Sequence, residues 1–127
     1  MQPSYSFHLL DANTYNKYTE VESSIPESNR TKIPRVMLFA ENESRSLDFK
    51  LITQKFRHQG VFLEIAPLFD SQELVPGSYR DMSRPFLVVD KHNEHGEKET
   101  EIFRNTKTFT DLEQALTRSL AKVPKNM

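Results

Sequence analysis

The densest group of metal-ligating side chains falls in one short polar stretch, residues 92–97. It holds two histidines, His92 and His95, with Glu94 and Glu97 beside them. Zinc needs three or four such donors held tetrahedrally, and no partner of fixed spacing occurs elsewhere in the chain. A polar stretch that contains a glycine also suits the loop of a β-hairpin. We therefore expect a solvated hairpin loop here and no metal site.

Two serines near the start of a predicted helix, Ser44 and Ser46, offer a second kind of chemistry. The free backbone N–H groups at the start of a helix attract anions, and Arg45 would add positive charge. A serine just before a helix also serves as an ordinary cap, because it accepts a hydrogen bond from the first turn. Both interpretations stay open, the first as a site for a small anionic substrate.

Composition excludes several further kinds of chemistry. The chain has no cysteine, so it cannot carry out thiol, disulfide or cysteine–metal chemistry. Its three glycines form neither a phosphate-binding loop nor the Gly-x-Ser-x-Gly turn of a hydrolase. The net charge of −1 lacks the positive excess typical of proteins that bind nucleic acids. We expect no enzyme activity, no cofactor and no nucleic-acid partner.

Hydrophobic periodicity predicts the elements that position these residues. Apolar runs and alternating stretches predict five strands, over residues 6–10, 36–40, 61–66, 86–90 and 99–104. Helical spacing predicts three helices, over residues 12–21, 46–59 and 110–121. Because a helix joins the second and third strands, these two strands are expected to be parallel.

Two helices carry more detailed signals. In the helix over 46–59, apolar residues at helical spacing predict the buried face, and they are Leu47, Leu51, Ile52 and Phe56. Gly60 is expected to end this helix in the left-handed conformation. Thr110 and Glu113 match a capping box at the start of the last helix.

The resulting order is β-α-β-α-β-(loop)-β-β-α, an α/β fold with a mixed sheet flanked by helices. We expect one domain over residues 1–127, with an N-terminal βα unit (6–22), a loop (23–34), a core (35–121) and a tail (122–127). No apolar run approaches the roughly 18–20 residues of a membrane span, so no membrane partner is expected. The chain is expected to be part of a larger protein.

This order resembles the thioredoxin-like fold over residues 6–121. The most specific likeness is local, since residues 36–42 resemble the strand that leads into the thioredoxin active site. That strand typically continues as Ala, one residue, Trp and then Cys-x-x-Cys. Here Glu43 and Ser46 occupy the two cysteine positions, and neither can attack a disulfide as a thiolate does. The resemblance therefore implies a redox-inactive member of the superfamily.

A second likeness lies at Arg84-Pro85, just before the predicted strand at 86–90. The thioredoxin-like fold places a cis-proline at this position, whereas the residues alone fit a trans proline at the start of a strand equally well. The resemblance implies a three-layer α/β/α domain that keeps the family's groove and binds a protein or peptide there. The residues expected to line the groove are Asn42, Glu43, Ser44, Arg45, Arg84 and Pro85.

A rival resemblance is to the anticodon-binding domain of class II aminoacyl-tRNA synthetases. It rests on the strand at 60–65, the Pro-led strand at 85–89, the return strand that ends in Phe103-Arg104 and the helix at 112–120. It implies contact with RNA or a role in dimerisation. It would be favoured by a regular helix with a basic face over 72–82 and by the lack of a strand at 6–10.

Overall fold

The computed structural model of the protein describes residues 5–26 and 33–121, which form five strands and four helices. In chain order these are β1 (Tyr5–Leu9), α1 (Ala12–Ser24), β2 (Arg35–Phe39), α2 (Leu47–Lys55), β3 (Val61–Ile65), α3 (Gly77–Arg80), β4 (Phe86–His92), β5 (Lys98–Phe103) and α4 (Phe109–Leu120). The predicted tail and residues 27–32 of the predicted loop lie outside the described residues.

The strands form one mixed sheet with the order β1-β3-β2-β4-β5. β1 and β2 both run parallel to β3, while β4 is antiparallel to β2 and to β5. The prediction of an α/β fold with a mixed sheet is confirmed, as is the parallel pairing of β2 with β3. The carboxyl ends of the three parallel strands and the start of β4 consequently meet at one end of the sheet.

The two faces of the sheet carry separate apolar clusters, because successive side chains of a strand point to opposite faces. On β2, Val36 and Leu38 join the cluster that includes residues of α2 and α4. Met37 and Phe39 join the cluster on the other face, with Tyr18 of α1. Central strands covered on both faces are apolar throughout, which explains the continuous apolar runs in the sequence.

The helix after β2 differs from its prediction at both ends and on its face. α2 covers Leu47–Lys55, and its buried residues are Phe49, Ile52 and Thr53. Of the four residues expected on the buried face, Ile52 and Phe56 are buried, whereas Leu47 and Leu51 are exposed. Gly60 does not end the helix in a left-handed conformation. His58 has the positive φ, and a Cβ on Gly60 would lie 2.9 Å from the carbonyl oxygen of Pro34.

The start of α4 also differs from its prediction. Its cap is Thr108, whose side chain accepts a hydrogen bond from the Asp111 backbone, and Asp111 completes the capping box. The predicted cap, Thr110, lies inside the helix. The earlier start brings Phe109 into the helix, where it packs against the core. The cap of α1 is Asp11, whose side chain accepts a hydrogen bond from the backbone of Thr14.

Candidate functional site

A cavity of about 260 Å³ opens where the parallel strands end. Its walls come from the turn 41–46 between β2 and α2, from Pro85 before β4, and from the 106–107 segment before α4. Glu64 of β3 and Leu112 of α4 also line it. We call this cavity and its opening the groove. It lies where the topology brings three loops and the start of a helix together.

The turn 41–46 is fixed by hydrogen bonds at both of its sides. Ser46 caps α2 by accepting a hydrogen bond from the Phe49 N–H (3.2 Å), and the Ser46 N–H donates to the Glu64 carboxylate (2.8 Å). On the other side, the Glu43 carboxylate accepts a hydrogen bond from the Leu68 N–H (3.1 Å). The turn is therefore attached to β3 and to the loop that follows it.

The Arg84–Pro85 peptide bond is cis, so the resemblance implied the correct isomer. The Arg84 guanidinium donates to the carbonyl oxygens of Ala40 (3.1 Å) and Ile65 (2.9 Å). It also lies over the ring of Phe39, 5.4 Å from the ring centre, and burial lowers its pKa. The Arg84 guanidinium thus bridges the carboxyl ends of β2 and β3, and the next residue, Pro85, lines the groove.

The structure brings four of the six predicted groove residues to the cavity wall. Asn42, Ser44, Arg45 and Pro85 line the cavity. Glu43 lies in the same turn, and its carboxylate accepts a hydrogen bond from the Leu68 N–H. The Arg84 guanidinium donates a hydrogen bond to the Ala40 carbonyl oxygen. Those two residues hold the groove in place and do not line it.

Among the cavity residues that the sequence did not predict, Glu64 and Thr106 are buried polar side chains. Each is only 2% exposed. Burial raises the pKa of Glu64, although the Ser46 N–H and nearby Arg45 oppose the rise. Thr106 has a buried hydroxyl without a hydrogen-bond partner in the described residues. A glutamate inside an apolar central strand was a usable signal for the first residue, whereas no pattern marks the second.

Exposed apolar side chains occur at the same end of the sheet as the groove. Five large apolar side chains are exposed among the described residues, and one of them, Ile102, lies on β5. The other four lie on α2 or in the segments that follow β1 and β3, and they are Leu10, Leu47, Leu51 and Leu68. Leu68 and Leu47 are the most exposed, at 83% and 68%. Both lie beside the turn 41–46, because Leu68 is bonded to Glu43 and Leu47 follows Ser46.

The other candidate sites of the sequence have structural roles. In the hairpin loop, the Asn93 side chain accepts hydrogen bonds from the backbone N–H groups of His95 and Glu97. The described residues contain no group of three or more side chains that could hold a metal ion. At the start of α2, the Ser46 N–H that an anion would use is already bonded to Glu64. The capping interpretation of Ser46 is therefore the one that the geometry supports.

Within the described part of the chain, no helix has the length and apolar character needed to cross a membrane. The sequence matches no protein-family model and no curated protein.

Proposed function

We propose that the chain is a redox-inactive, thioredoxin-like domain that binds an extended peptide segment of another protein in the groove. The strand order, the order of helices and strands, and the cis bond at Pro85 support the likeness. Glu43 and Ser46 stand in place of the two thiols, and both are bonded as structural groups. The proposed activity is therefore binding without catalysis.

The observation that carries this proposal is the position of the exposed leucines. Leu10 and Leu68 follow β1 and β3, and Leu47 begins α2, so these exposed leucines lie at the end of the sheet where the parallel strands stop and the cavity opens. Exposed apolar groups that cluster beside a cavity are typical of interaction sites, whereas single ones are normal on any surface. An extended segment with apolar side chains would cover these leucines while it occupies the cavity.

The rival function, contact with RNA, has less support. A strand is present at Tyr5–Leu9, and only the four residues of α3 are helical in the 72–82 region. Glu41 and Glu64 line the groove beside Arg45 and Lys107, so the cavity lacks the positive excess that phosphate binding requires. Peptide binding therefore accounts for more of what the groove contains.

Selection of peptides from a random phage-displayed library tests the proposal. Peptides selected on the wild-type protein should shift the amide NMR signals of Ser44, Ser46 and Thr106 when they are added to the labelled protein. Substitution Leu68→Ser should weaken these peptides about tenfold, because it removes most of the contribution of one apolar side chain.

The matched control is Ile102→Ser, which removes an exposed apolar side chain from β5. It should leave the affinity unchanged. Equal losses for the two variants, or selected peptides that shift only signals far from the groove, would show that the groove is not the binding site.

A further inference from the structure

The groove contains a buried carboxylate that forms no ion pair within the described residues. Glu64 is 2% exposed, and the Ser46 N–H is its hydrogen-bond donor. None of the ion pairs within residues 5–26 and 33–121 includes Glu64. Buried charges in proteins are normally paired, because the loss of hydration is otherwise uncompensated. An ionised carboxylate accepts several hydrogen bonds, so Glu64 has capacity left for an incoming donor.

A second unsatisfied group lines the same cavity. The Thr106 hydroxyl is buried and has no partner among the described residues, although most buried side-chain polar atoms have one. It belongs to the segment before α4, whereas Glu64 belongs to β3. Two independent elements therefore bring polar groups with free hydrogen-bonding capacity to the wall of one cavity. The carboxylate accepts and the hydroxyl either accepts or donates, so one group with more than one N–H donor can satisfy both.

The charges around the carboxylate favour a cationic donor. Glu41 adds a second acidic side chain to the cavity wall. His8, opposite Glu64 on β1, is held towards its neutral form because burial lowers its pKa. Arg45 and Lys107 also line the cavity, but both are exposed and neither forms an ion pair with Glu64. Arg45 is near enough to oppose the rise in the Glu64 pKa, but its exposed charge is shared with water.

We propose that the cavity is a specificity pocket for a lysine or arginine side chain of the bound peptide. This inference rests on the proposed function and names the residue that the groove selects. A lysine ammonium has three N–H donors and an arginine guanidinium has five, enough to reach Glu64 and Thr106 together. The aliphatic part of either side chain would lie along Leu38, Ala40 and Leu112 of the cavity wall.

The decisive comparison uses one selected peptide in two forms. In the second form, norleucine replaces lysine, which keeps the aliphatic chain and removes the ammonium group. The wild-type protein should bind the lysine form about tenfold more tightly, which is the effect of charge-assisted hydrogen bonds. The variant Glu64→Gln should bind both forms equally, since its amide keeps an acceptor for the Ser46 N–H without the charge. Glu94→Gln, an exposed position in the hairpin loop, is the control for net charge and should keep the preference.

A spectroscopic measurement separates a direct pairing from an indirect effect. The carboxyl carbon signal of Glu64, followed by NMR as a function of pH, should titrate at lower pH in the complex with the lysine form than in the free protein. The norleucine form should not lower it, because burial without a cation favours the neutral carboxyl.

The outcomes distinguish the two proposals. Peptides that shift the groove signals but contain no enriched basic residue, or that bind equally in the norleucine form, would overturn this inference and leave the proposed function standing. A library that yields no peptide acting on the groove would remove both.

Discussion

The sheet carries two buried charged side chains, one near each end. Only one of them forms an ion pair within the described residues. Lys91 of β4 donates to the Ser119 carbonyl oxygen (2.8 Å) and forms an ion pair with Glu101. The Ser119 hydroxyl completes this cluster by donating to Glu101 (2.8 Å). Glu64, near the other end, has the Ser46 N–H as its hydrogen-bond donor and forms no ion pair within the described residues.

The same contrast extends to the neighbours of each charge. Near Lys91, Arg35 forms an ion pair with Asp90 (3.0 Å), and Asp90 also accepts a hydrogen bond from Thr100 (2.7 Å). Beside Glu64, the Thr106 hydroxyl lacks a partner in the described part of the chain. The Arg35 Nε is buried without a hydrogen-bond partner in the described residues, so hydrogen bonding is incomplete near Lys91 as well. The contrast lies in ion pairing, because Lys91 and Arg35 each have a carboxylate partner and Glu64 has no cationic one within the described residues. The ligand proposed above would supply that missing partner.

The largest expected change in stability follows removal of the Lys91 ammonium group. Substitution Lys91→Met should lower the free energy of unfolding by about 3 kcal/mol, because it removes one partner of a buried ion pair. Urea denaturation monitored by circular dichroism measures the change. Lys98→Met replaces an exposed lysine of β5, and it should change stability by no more than about 0.5 kcal/mol.

The Lys91 variant also tests whether the two ends are independent. Below its unfolding transition, Lys91→Met should bind groove peptides as the wild-type protein does. A parallel loss of binding would show that the comparison is wrong and that the Lys91 cluster shapes the groove.

The sequence predicted the order of elements well, because runs of apolar residues identify central strands directly. It predicted less well which face of a helix is buried and which residue caps its start. Two sets of apolar residues in α2 have helical spacing, one with Leu47 and Leu51 and one that begins at Phe49. Only packing against the sheet decides which set is buried. The cap of α4 was placed two residues late because the pattern required a glutamate, whereas Asp111 fills that role.

Four of the residues that the resemblance selected, Asn42, Ser44, Arg45 and Pro85, line one cavity, because they follow or precede strands that meet at one end of the sheet. The polar groups inside that cavity were not predicted. Glu64 lies in an apolar run, where a charged residue must be buried if both faces of the strand are covered. Thr106 could not be predicted, since its burial depends on how the segment before α4 lies over β3.

A smaller change in the free energy of unfolding is expected when the Thr106 hydroxyl is removed. Thr106→Val keeps the shape of the side chain and removes a buried polar group, so it should raise the free energy of unfolding by about 1 kcal/mol. Thermal and urea denaturation measure the change, and Thr110→Val, at an exposed position of α4, is the matched control. A destabilised Thr106→Val variant would mean that the hydroxyl is already bonded in the free protein, which would weaken the contrast between the two ends.

The smallest net change in stability at neutral pH is expected for Glu64→Gln. The substitution removes a buried charge, which is favourable, and weakens the hydrogen bond from the Ser46 N–H, which is unfavourable. These two contributions oppose each other, so the free energies of unfolding of variant and wild type should be close at pH 7. Their dependence on pH separates the two contributions.

The direction of that dependence follows from the raised pKa of Glu64. As the pH falls from 7, the folded wild type takes up a proton at Glu64 before the unfolded chain does, since the ordinary pKa of this group is 4.5. The wild type should therefore gain stability relative to Glu64→Gln as the pH falls, until the unfolded chain is protonated too. Urea denaturation at pH 7 and pH 4 measures this. A constant difference between wild type and Glu64→Gln would mean that the Glu64 carboxylate is already neutralised in the free protein, and Glu64 would then resemble Lys91.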